Sequence, residues 1–314
     1  MATLEDPAGR RAVNLFQDSR YEYLYPPTGE GIYCVGNAAE CDHLTYDGTA
    51  VRIPWAGAPG PDELSRIRSL QLLPTVAQLA RGSLPTFLPR LPAVRSVSMP
   101  SGLLPRLDVG NAPPGLAMLM VVDKADAPAP RTKIELDAVL PDLRGLMFLA
   151  PAAKPNLMDF VDPLPSALEF LHLEANGRLA TLEQLRALER LRHLELVRVR
   201  AFDVFDHIRS PLRVLEIGGA RQGFPIERLA TVASLRSVRL NGVYTEIDCA
   251  IFRDLPELVE LDVLNCNRVG NVEALLDCPK LTSVRLLNCK RPFDTRTRAM
   301  FRDRGFARLD IDFA

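Results

Sequence analysis

One pattern recurs through the second half of the chain and fixes most of what it can fold into. Aliphatic residues stand at the first, fourth and sixth positions of a short segment: Leu168-x-x-Leu171-x-Leu173, Leu191-x-x-Leu194-x-Leu196, Leu212-x-x-Leu215-x-Ile217, Leu235-x-x-Val238-x-Leu240, Leu258-x-x-Leu261-x-Val263 and Leu281-x-x-Val284-x-Leu286. The starts lie 23, 21, 23, 23 and 23 residues apart, and Phe306-x-x-Leu309-x-Ile311 follows after 25. Fainter copies precede them at Ile67-x-x-Leu70-x-Leu72, Val94-x-x-Val97-x-Met99, Leu116-x-x-Leu119-x-Val121 and Leu143-x-x-Leu146-x-Phe148. A period in this range means a solenoid, because one unit cannot bury its own apolar side chains and must stack on its neighbours. Each segment reads as a strand with its first, fourth and sixth side chains inward and its second, third and fifth outward.

Pattern and period together resemble the leucine-rich-repeat family, whose unit is a short strand followed by a helix or looser turn. The resemblance implies an α/β solenoid, a horseshoe with about eleven parallel strands on its concave face. The family's asparagine, three residues after the last strand leucine, survives only as Asn176; Cys266 and Cys289 stand there in two later repeats and Val199, Ala220 and Val243 in others. A regular asparagine ladder is therefore not expected. Between strands, Leu182, Leu185 and Leu188 are spaced by three, and Thr181 with Gln184 resembles a capping box. Asp254-Leu255-Pro256 and Asp277-Cys278-Pro279 close two such segments.

Residues 1–63 do not follow the period and form an expected N-terminal cap, with the solenoid at 64–314. Five of the six tyrosines (Tyr21, Tyr23, Tyr25, Tyr33 and Tyr46) and Trp55 gather there. Alternation in Tyr21-Glu22-Tyr23-Leu24-Tyr25 and in Gly31-Ile32-Tyr33-Cys34-Val35 reads as two short strands. Covering the first repeat is the plain role for this segment; a separate aromatic binding surface, hinged at residues 57–61, is the other. From about residue 294 a C-terminal helix and strand are expected, with Asp294 as the helix cap, Gly305 as its stop and charges on the last strand discouraging further stacking.

The composition narrows the function by exclusion. A formal net charge of −1 lacks the surplus of Lys and Arg that a polyanion binder needs, so no nucleic acid partner is expected. Residues 1–20 lack the apolar core of a signal peptide and no stretch of about 18 apolar residues occurs, so a cytoplasmic protein without membrane contact is expected. Arg outnumbers Lys 33 to 5, a bias that suggests a bacterial, GC-rich genome. The histidines His43, His172, His193 and His207 show no zinc spacing and the cysteines form no C-x-x-C pair. Cys34 and Cys41 leave open a disulfide or metal site beside free packed thiols, and Cys249, Cys266, Cys278 and Cys289 simply track the repeat. No nucleotide loop or nucleophile elbow occurs. The chain reads as a non-enzyme without a cofactor.

The outward strand positions carry the expected site. At the fifth position stand Gln71, Ser98, Met120, Met147, His172, Glu195, Glu216, Arg239, Asp262, Arg285 and Asp310. Signs alternate from Glu216 onward, which reads as a self-neutralised ladder. Arg192, Arg213 and Arg236 form a like-charge column at the second position, beside His193 and the adjacent Glu195 and Glu216. Earlier repeats offer Met118, Met120, Met147 and Leu149 with Phe170 and His172, a cluster suited to adaptable protein contacts unless a one-residue slip makes it core. The expected function is a non-catalytic protein-protein interaction module that binds a partner protein or peptide on its concave face, inhibitor- or immunity-like in one version. An acidic segment with a hydrophobic anchor would complement this surface. The alternative is an accessory protein to an enzyme, binding a small molecule or substrate peptide through the cap.

Overall fold

The computed structural model describes residues 15–24, 32–36, 51–122, 134–149, 161–177, 182–199, 203–289 and 294–311. Tyr25, Cys41, His43, Tyr46, Thr181 and residues 124–133 lie outside them, as do the side chains of Tyr21, Tyr23 and Asn176. The chain packs as two compact units: one spans Arg20–Arg190, and the other joins Met1–Ser19 to Leu191–Ala314.

In the Arg20–Arg190 unit the sheet holds β1 (Ile32–Gly36), β2 (Val51–Ile53), β3 (Ser69–Leu73), β4 (Ser96–Pro100), β5 (Met118–Val122), β6 (Gly145–Leu149) and β7 (Phe170–Gly177). Their order is β2-β1-β3-β4-β5-β6-β7 and the described pairings are parallel. The degenerate first repeats keep the register that their spacing predicts. Ile67, Leu70 and Leu72, Val94, Val97 and Met99, Leu116, Leu119 and Val121, and Leu143, Leu146 and Phe148 are all buried. β1 falls where the Ile32–Val35 alternation puts a strand, and it pairs with β3. The Thr181 half of the expected capping box lies outside the described residues, and the Gln184 side chain is seen in another role. It accepts from the Leu164 amide at 2.6 Å and donates to the Val161 carbonyl at 3.0 Å, which ties one repeat to the one before.

In the other unit the sheet holds β8 (His193–Val199), β9 (Val214–Gly218), β10 (Ser237–Asn241), β12 (Glu260–Leu264), β14 (Ser283–Leu287) and β15 (Arg308–Ile311), in that order and parallel. β11 (Ile247–Asp248) and β13 (Val269–Gly270) pair in a small second sheet. Short 3-10 helices follow β9, β10 and β12, at Ile226–Thr231, Cys249–Asp254 and Val272–Asp277, and the last two stop before Pro256 and Pro279 as read from the sequence. β8 is followed instead by the short α-helix Val204–His207. Asp294 caps the helix Thr295–Arg304 by accepting from the Thr297 amide at 2.7 Å, and Gly305 ends it at φ 68°. The eleven strands counted from the repeats are all present, and β1 and β2 precede them among the described residues.

The strands of this second unit end on a shared device. Two residues beyond the last inward aliphatic, the backbone turns left-handed in every repeat from β8 to β14: Arg198, Gly219, Gly242, Asn265 and Asn288 have φ between 54° and 65°. Asparagine does form a short ladder here, with Asn265 and Asn288 one step ahead of the position scanned for it and Asn241 two. Asn265 donates to Asn241 at 2.9 Å, and Asn288 to Asn265 at 2.8 Å. At the scanned position the thiols take over: Cys266 donates to the Leu240 and Leu264 carbonyls, and Cys289 to those of Val263 and Leu287. Burial pushes the Cys266 thiol up to about 11, so it keeps the proton that it donates. A Cβ on Gly242 would meet only ordinary contacts near 3.8 Å, so any penalty there is conformational. Gly242→Ala is expected to cost about 1–2 kcal/mol through its left-handed φ, and Gly242→Asn clearly less, as thermal melting would show. Equal losses for the two would remove the left-handed turn as the cause.

Candidate protein-binding face

Along each strand of the Leu191–Ala314 unit, alternate side chains leave the leucine core and line the opposite sheet face. The third position presents His193, Val214, Ser237, Glu260, Ser283 and Arg308, and the fifth Glu195, Glu216, Arg239, Asp262, Arg285 and Asp310, in register across neighbouring strands. The expectation that this face is open to solvent is overturned. His193 and Glu195 are 0% exposed, Glu260 and Asp262 1%, and Glu216 9%.

What covers the face is the start of the chain. Helix α1 (Leu15–Leu24) lies where the tyrosine alternation reads as a strand. Propensity is a weak prior there, and Asp18 in the first turn suits the positive end of a helix. Phe16 and Ser19, three residues apart, share one side of it. The Phe16 amide donates to Glu260 Oε2 at 3.0 Å. Its fully buried ring meets His193 edge-on, with centroids 5.3 Å apart, and carries the Arg239 guanidinium 3.6 Å above its centre. The Ser19 hydroxyl lies 2.9 Å from His193 Nδ1, and His193 Nε2 lies 3.0 Å from Glu195 Oε1. A serine, an imidazole and a carboxylate in a row have the outline of a nucleophile relay. Here the serine belongs to the covering segment, and its hydroxyl is engaged in holding that segment to the sheet.

The charges on this face are organised around Asp262. Its Oδ2 receives Arg239 at 2.9 Å and Arg285 at 3.2 Å, Arg285 lies 3.5 Å from Asp310, and Asp310 pairs with Arg308 at 2.8 Å. The alternating ladder read from the sequence is therefore real, but its centre is buried. Glu260 stands beside it, accepting from Ser237 Oγ at 2.7 Å as well as from Phe16. Burial raises its carboxyl above the ordinary glutamate range and Asp262 adds to that, against the two hydrogen bonds and Arg239. Folding is thus favoured by this group below its unfolded pKa, and the contribution is lost as pH rises through the folded value. Glu260→Gln keeps an oxygen for the Phe16 amide and removes the charge. Its stability relative to the parent is expected to rise from about pH 4 to about pH 7. A gap that stays flat in melts across that range would contradict a buried carboxylate.

In the Arg20–Arg190 unit the outward methionines are also buried, against expectation. Met118, Met147 and Phe170 form one buried cluster, with Met120 and Leu149 partly buried against it. The register has not slipped, since Leu119, Leu146 and Leu171 fill the leucine core at their own positions. Gly145 stands between Met118 and Phe170 in the third column, and its missing side chain lets the two large neighbours lean together. His172 is 3% exposed, with Nε2 3.7 Å from Glu174 Oε1. Of the site residues read from the sequence, Arg192, Arg213 and Arg236 are the ones that stand exposed, on strand-leading positions of the Leu191–Ala314 unit. Their repeats are stitched together by the backbone, Arg213 N donating to Arg192 O and Arg236 N to Arg213 O at 2.8 Å each.

Phe16, Ser19, Ser237 and Glu260 belong to this face without appearing among those site residues. Glu260 could have been found by reading the third column as closely as the fifth; Phe16 has no signal in the repeat. No family model matches the chain, and no curated protein matches it. Among solved structures it is similar to an internalin, InlF, from Listeria monocytogenes (16% identity, 84% of this chain and 79% of that one, TM-score 0.47). It is also similar to TLR13 in a complex with ssRNA13 (16% identity, 80% of this chain and 40% of that one, TM-score 0.49).

Proposed function

We propose that this chain is a non-catalytic protein-interaction module whose partner engages the sheet face opposite the leucine core, the face that the repeat pattern makes concave. The observation that carries the reading is the seated Phe16: this face already binds a protein segment through a buried ring, a backbone amide and a side-chain hydroxyl. A buried aromatic anchor in a desolvated setting is how protein interfaces concentrate their affinity. Beside it the exposed column Arg192, Arg213 and Arg236 supplies charge to orient an acidic stretch of the partner. Met118, Met120, Met147, Phe170 and His172 are packed within the Arg20–Arg190 unit and are not part of this proposed contact.

The test is a paired charge reversal. Arg213→Glu with Arg236→Glu should leave the melting temperature within the small shift typical of surface changes, about 0.5 kcal/mol. Partner captured from the native cell should be lost from the reversed protein. Retention of the same partner at the same yield would remove the arginine column from the interface.

A further inference from the structure

We propose that the outer sheet face of the Leu191–Ala314 unit is a helix-docking groove which Phe16 and Ser19 fill in place of a partner, and that it accepts instead a partner helix opening on an aromatic residue with a hydroxyl three positions later. The inference rests on the interaction reading above and names the chemistry of the partner. Three contacts define what the groove recognises. Glu260 receives an amide of the first helical turn, a group that no helix can satisfy internally. A carboxylate at that end is favourable for any helix, whatever its side chains. The slot between the His193 ring and the Arg239 guanidinium is shaped for a flat aromatic group, attractive at its edge and at its face. His193 Nδ1 then meets a hydroxyl on the same side of the helix, one turn on.

The segment now in the groove leaves it incompletely used. Glu260 Oε1 and Asp262 Oδ1 are buried without a hydrogen-bond donor among the described residues, on side chains 1% exposed. The other oxygen of each carboxylate is engaged, by Phe16 and Ser237 on Glu260 and by Arg239 and Arg285 on Asp262, so each side chain keeps one costly buried acceptor that the seated segment does not meet. α1 is ten residues long, short enough to be marginal as a helix away from the groove. Its occupancy therefore depends on being tethered, which gives it a high effective concentration that a free competitor must overcome.

The probe is a fluorescein-labelled peptide of residues 12–24, titrated against the full chain and against Phe16→Ala and Ser19→Asp forms of it, with folding followed by circular dichroism. The second variant replaces the small hydroxyl that meets His193 with a larger charged group and so disturbs the seat by a different route. The parent should bind the peptide weakly, and either variant at least about ten-fold more tightly, since the internal competitor is gone. A peptide with alanine for its phenylalanine should bind none of them. A folded variant that takes up no more peptide than the parent overturns the proposal. So does failure of both variants to fold, which would make the segment a permanent part of the core. Self-association of the parent at the concentrations used, seen by sedimentation, would identify a second copy as the occupant and likewise overturn it. Loss of captured partner on arginine reversal, with no peptide uptake, would spare the interaction reading and remove only the groove.

Discussion

Asp262→Ala is expected to cost the Leu191–Ala314 unit about 3–5 kcal/mol in denaturant unfolding, the range for removing one partner of a buried ion pair. The carboxylate is 1% exposed and both Arg239 and Arg285 converge on its Oδ2. Without it two guanidinium groups face each other across β12, and Arg239 is left with its place on the Phe16 ring and the carboxyl of Glu260 nearby. A solvent-facing rung of a surface ladder would instead cost less than about 1 kcal/mol. The size of the loss thus separates a covered face from an open one, and a loss below about 1 kcal/mol would uncover it.

Leu215→Ala should be comparably damaging for a different reason. Leu215 is fully buried, in register with Leu194 on one side and Val238 on the other, at the fourth position of the repeat. Truncation removes apolar contact and leaves a cavity that stacked strands cannot collapse to fill, for about 2–5 kcal/mol. Its neighbour Glu216, at 9% exposure, points to the opposite face. Unfolding followed by circular dichroism should place Leu215→Ala in the core range; a shift under about 1 kcal/mol would mean that the inward column has been misassigned.

The leucine core was legible because its signal is local and repeated. Positions one, four and six recur through strong and degenerate repeats alike, and burial follows them from Ile67 to Leu286. The outer face was half legible. Which residues line it, and the sign alternation from Glu216 to Asp310, follow from strand geometry; whether solvent reaches them depends on a contact between residues 244 positions apart. No periodicity links Phe16 to Glu260. The tyrosine alternation misled in the same way, since a pattern of two over five residues is outweighed when a phenylalanine and a serine one turn apart find a groove. No regular asparagine ladder was expected because the position scanned lies one step beyond the left-handed turn where Asn265 and Asn288 stand.

The alternation of charge along the fifth column also restricts how such an array could change in number of units. Excising the repeat that carries β12 would rejoin equivalent backbones, yet it would bring Arg239 directly against Arg285. Excising the β12 and β14 repeats together would set Arg239 beside Asp310 and restore opposite neighbours. Parity, and not only register, is therefore conserved by this surface: duplications and deletions that survive should come in twos.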